Sequence, residues 1–119
     1  MTMSTLIKTT QDQKAAEKAT RIKNGYDTIL DILENNLQGA EFLPGGLLKL
    51  SVVASVGDKF AEAIKDIGSG SDVLRLDGRS LWRSSVHTNI IYCEGLDPSN
   101  VDEAWESLID NLKLRVEML

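Results

Sequence analysis

Apolar positions in the first third of the chain fall at Ala15, Ala19, Ile22, Tyr26, Ile29, Leu33 and Leu37, in steps of three and four that line one helix face. Leu30 and Ile32 widen that stripe. Thr10 followed by Gln13 has the form of a capping box, in which both side chains satisfy free N–H groups at a helix start, so a helix is predicted over 11–37. Gly25 inside the run costs about 1 kcal/mol relative to Ala and marks a bend or a close approach by another backbone. Asn35, Asn36 and Gly39 suit the helix end. Residues 1–10 are polar, rich in Thr and Ser, and lack periodicity; they read as an N-terminal arm, expected at the contact with a protein partner or second copy, preceding a single domain over 11–119.

Phe42-Leu43-Pro44-Gly45-Gly46 reads as a connector, because Pro removes a donor and the glycines relax the backbone. The next segment fits two periods. Leu47, Leu50, Val53, Phe60, Ile64 and Ile67 form a helical stripe, which favours one helix over 46–67 because a single period then covers the whole segment. The alternative is a strand with Leu48, Leu50, Val52 and Ala54 inward, a turn at Gly57, and a shorter helix.

Gly68-Ser69-Gly70-Ser71 is a break, and Asp77-Gly78 between two extended runs signals a hairpin, since both residues tolerate positive φ. Along the second run, Trp82, Ser84, Val86, Thr88, Ile90 and Tyr92 are expected to face the core. Leu81, Arg83, Ser85, His87, Asn89, Ile91 and Cys93 are then expected to face away. Asp97-Pro98 offers an N-cap and a first-turn proline ahead of an amphipathic helix over 99–117. The fold class that follows is α+β: a small domain of three helices and an antiparallel hairpin, in the order α-α-β-β-α, or α-β-α-β-β-α on the alternative reading. The expected core is Ile22, Ile29, Leu33, Phe60, Ile64, Val86, Ile90, Trp105, Leu108 and Leu112.

At 119 residues, 42% hydrophobic and 26% charged, the chain has the size and composition of one folded domain. Its net charge of −5 argues against coating nucleic acid, because that affinity comes from a Lys/Arg excess over phosphate. The charge is uneven. Residues 1–25 carry five basic against two acidic side chains, whereas residues 94–119 carry two against seven. Such a chain can satisfy itself internally or meet a second copy head to tail. Met1 to Thr10 has no apolar signal core, and no stretch approaches the ~20 apolar residues of a membrane span, so a cytoplasmic setting without a membrane partner is expected. The single cysteine, Cys93, excludes an intrachain disulfide and a CxxC pair and fits a reducing compartment.

Candidate chemistry is sparse. His87 is the only histidine, which excludes two-His metal sites, and Ser85 lies two residues away, about 6–7 Å along a strand and beyond hydrogen-bond reach. Gly45-Gly46 and Gly68-Ser69-Gly70 lack the continuations of phosphate loops. Carboxylates at helical spacing, such as Asp58, Glu62 and Asp66, are the usual solvated face of an amphipathic helix. No catalytic set, metal ligand set or cofactor site is expected. The residues that stand out are Arg75, Arg79, Arg83, His87 and Asn89, a local basic cluster around the hairpin suited to an interface with an acidic partner surface.

These features point to a non-enzymatic protein that binds other chains or copies of itself, as an assembly component, adaptor or inhibitor of the kind small phage and mobile-element proteins provide. The alternative is a small ligand-binding domain or enzyme that holds an anionic group near Arg83 and His87. It requires those side chains to converge in a concavity.

Overall fold

The structure is a computed structural model that describes residues 3–68 and 70–119, with side chains from Gln13 onward. Helix α1 spans Met3–Asn35, strands β1 and β2 span Gly39–Leu43 and Leu47–Ser51, and α2 spans Ala54–Gly68. Strands β3, β4 and β5 follow at Val73–Leu76, Arg79–Arg83 and Ile90–Glu94, and α3 covers Val101–Glu117. The α+β class, the three helices and the hairpin at Asp77-Gly78 are as the sequence predicts. The element order is α-β-β-α-β-β-β-α, three strands richer than expected.

Helix α1 starts ahead of the expected cap, so Thr10 and Gln13 lie inside it, and most of the expected arm continues the helix. The contact role expected of residues 1–10 falls on side chains outside the described residues. Within α1 the apolar stripe divides. Ala15 and Ala19 are exposed, Ile22 is half-buried, and Tyr26, Ile29, Ile32 and Leu33 enter the core. Gly25 marks the close approach its position suggested: a Cβ there would meet the Ala63 carbonyl oxygen of α2 at 2.9 Å and Ile67 Cγ1 at 2.8 Å.

Residues 47–54 correct the preferred single helix over 46–67. Gly45 and Gly46, at φ 87° and 83°, close a hairpin that an all-L sequence would resist, and β2 pairs with β1 on one side and β5 on the other. Two ladders of hydrogen bonds outweigh the local helical period. Leu48, Leu50 and Val52 are buried as the strand alternative required, but Ala54 is exposed and opens α2. Gly57 is no turn. It lies buried in the first turn of α2, where a Cβ would overlap the Thr88 carbonyl oxygen.

The run expected as one strand from Leu81 to Cys93 is two strands. Ser84 Oγ accepts the backbone N–H groups of Val86, at 3.2 Å, and His87, at 3.1 Å, and this local satisfaction bends the chain into the loop 84–89. Val86, expected in the core, is therefore 78% exposed in that loop. The sheet is fully antiparallel, in the order β1-β2-β5-β4-β3.

Cross-strand partners share a face, so the register sorts the sheet into two sides. One side carries Leu48, Leu50, Leu74, Leu76, Leu81, Ile91 and Cys93, all buried in one cluster with Ile29, Phe60, Ile64, Leu108 and Leu112 of the three helices. Arg83 on this side reaches Asp58 of α2, and Arg79 reaches Ser107 of α3, while α1 packs against both helices. The helices thus form one layer over one face. Trp105 is half-buried against the core. Ahead of α3, Asp97 is not the N-cap; its carboxylate accepts the Ser99 N–H at 3.0 Å and the Ser99 hydroxyl at 2.7 Å, and Asn100 takes the cap position.

Candidate interaction surface

The second side of the sheet carries no helix. Its central row, read from edge to edge, is Glu41, Lys49, Tyr92, Trp82 and Val73, and the next row is Leu43, Leu47, Glu94, Ser80 and Arg75. Ile90 lies on the same side beyond them, paired with Ser51. Trp82 and Tyr92 are direct cross-strand partners with ring centroids 5.7 Å apart and planes tilted by 36°. Both rings are half-buried, as are Leu43, Leu47 and Val73. None of these five side chains packs against the core cluster, and Ile90, although buried, stands outside it too.

Period-2 alternation had grouped Trp82, Ile90 and Tyr92 on one face and Leu81, Ile91 and Cys93 on the other. That partition holds, and the assignment of inside and outside is reversed. Both sets are apolar, so alternation alone carried no information about which would meet the helices. The signal for the open face lay in the pairing: aromatic neighbours flanked across the sheet by Lys49, Glu94 and Arg75.

The five basic-cluster residues do not converge. Arg75 is exposed on the open face, while Arg79 and Arg83 extend from the helix-covered side. Arg79 Nη2 donates to Ser107 Oγ at 3.0 Å, and Arg83 Nη1 pairs with the Asp58 carboxylate at 2.6 Å. His87 and Asn89 are exposed in the loop 84–89, where the Asn89 carbonyl accepts the Val52 N–H. Register therefore divides the cluster between both faces and the end of the sheet.

Chemistry elsewhere is equally limited. Among the described residues no three His, Cys, Asp or Glu side chains gather to hold a metal, and no helix is long and apolar enough to cross a membrane. Cys93 is fully buried, and burial pushes its thiol up to about 12 against the partial opposing effect of Arg79, so it is no nucleophile at neutral pH. The best-formed hollows are shallow, and none is lined by Arg83 or His87. The largest lies at the Pro44-Gly45-Gly46 turn, beside Glu94 and Leu96. Comparison with protein-family models, curated proteins and solved structures finds no match for this chain.

Proposed function

We propose that this chain is a non-enzymatic protein-binding protein, an assembly component or adaptor, and that the open face of its sheet is the working surface. The observation that carries this reading is the Trp82–Tyr92 pair, half-exposed at the centre of a face that no helix covers. A sheet face kept only for water normally alternates to polar residues. Here six of the face positions are apolar or aromatic, and an aromatic pair flanked by charges, ready to be desolvated by a partner, is what protein interfaces concentrate at their centres. A cytoplasmic setting belongs to the same reading, because a lone buried thiol fits a compartment where no disulfide is formed.

The ligand-binding alternative draws no comparable support. Arg83 is engaged with Asp58, and His87 stands exposed in a separate loop.

The test is affinity purification from the native host with the full chain and its Trp82→Ser variant side by side, together with light scattering over concentration. The reading expects either a mass above 13.1 kDa or a stoichiometric partner, in each case diminished by Trp82→Ser. A monomer throughout, with nothing recovered that depends on Trp82, contradicts it.

A further inference from the structure

We infer that the occupant of the open face is a second copy of this chain, docked face to face about a twofold axis that runs along β4. This rests on the protein-binding reading above and names its partner.

The argument begins with charge. The chain carries a net charge of −5, which disfavours self-association in general, yet the open face bears Glu41 and Glu94 against Lys49 and Arg75 and is neutral. A twofold interface must be complementary to itself, since each patch meets its own image. The register supplies that complementarity about one particular line. Glu94, Ser80 and Arg75 sit in one row on β5, β4 and β3, so the acid and the base lie about 10 Å apart, one strand to either side of β4. Rotation by 180° about an axis along β4 places each Glu94 opposite the Arg75 of the other copy, twice per dimer.

The same rotation acts on the central row. It lays Trp82 against its own image and Tyr92 over Val73, filling the middle of the interface with apolar and aromatic surface. Strand directions stay aligned, as in sheets that pack about 10 Å apart, a separation Arg and Glu side chains can span. Arg75 and Glu94 are both exposed, and neither has an ion-pair partner among the described residues.

The rotation overlaps β5, β4 and β3 of the two copies, three strands by about five residues, or about 240 Å² in projection. A standard interface buries about 800 Å² per partner, so the dimer is expected to be weak and to dissociate on dilution.

The experiment uses the full chain and two charge reversals, Arg75→Glu and Glu94→Arg, with fold monitored by circular dichroism. Alone, each reversal sets like charges against each other at both contacts and should weaken dimerisation about tenfold. An equimolar mixture of the two variants restores both contacts across one interface. Sedimentation equilibrium should therefore show each variant as largely monomer and the mixture returning to the wild-type dimer constant. Rearrangement within one chain cannot produce that recovery. A wild-type dimer whose mixed variants associate no better than either alone overturns the twofold arrangement and leaves the protein-binding reading standing. So does a wild-type monomer that retains a different protein through Trp82. A monomer with no Trp82-dependent partner overturns both.

Discussion

Gly57 shows how one missing side chain can hold two elements together. Its position in the first turn of α2 brings the helix backbone against the Thr88 carbonyl, with backbone on both sides and no flexible side chain able to yield. Gly57→Ala is therefore expected to cost about 1–3 kcal/mol, although alanine is the better helix former. Chemical denaturation measures this; a gain in stability would mean that the loop 84–89 does not press on α2. Cys93 gives a second expectation. Its unfolded thiol ionises near 9.0, while burial holds the folded one to about 12. Below about 9 both states keep the proton and this group has no effect on stability; as pH rises from there towards 12 the unfolded chain releases it and the folded chain cannot, so stability should fall. A thiol reagent at pH 8 should accordingly leave the native protein unlabelled and label it in denaturant. Rapid labelling of the native protein would contradict its burial.

At the scale of elements, α3 is the simplest case. Leu108 and Leu112 are fully buried, and Leu108→Ala should cost about 2–5 kcal/mol by thermal or denaturant unfolding. A loss below about 1 kcal/mol would place the residue at the surface. This helix was legible in the sequence, as were the core half of α1 and the Asp77-Gly78 turn, where φ of 44° and 81° realises the expected pair of positive values. Local chemistry decides all three. The segment 47–51 was not legible, because its residues satisfy both periods and the choice depends on ladders to β1 and β5, which come from distant sequence. The division of β4 from β5 rests on the Ser84 hydroxyl, a signal visible in the sequence only as Ser84-Ser85 within an otherwise strand-like run. The residues of the expected basic cluster are spread over both faces for a geometric reason: Arg75 lies across β3 and β4 from Ser80, so register sends it to the face opposite Arg79 and Arg83.

The whole molecule measures 62 × 27 × 22 Å, with α1 alone about 50 Å long at 1.5 Å per residue. Its three helices sit on one side of a five-stranded sheet, and the other side is left to solvent or to a partner. The proposed association depends on which surface becomes covered as the protein is concentrated. Hydroxyl-radical footprinting of the full chain at dilute and concentrated extremes reads this directly, with Met118, 77% exposed near the end of α3, as an internal reference. Trp82 and Tyr92 should become protected together as mass rises, while Met118 keeps its reactivity. Association that leaves Trp82 and Tyr92 as reactive as in the dilute protein would contradict the assignment of the open sheet face as the binding surface.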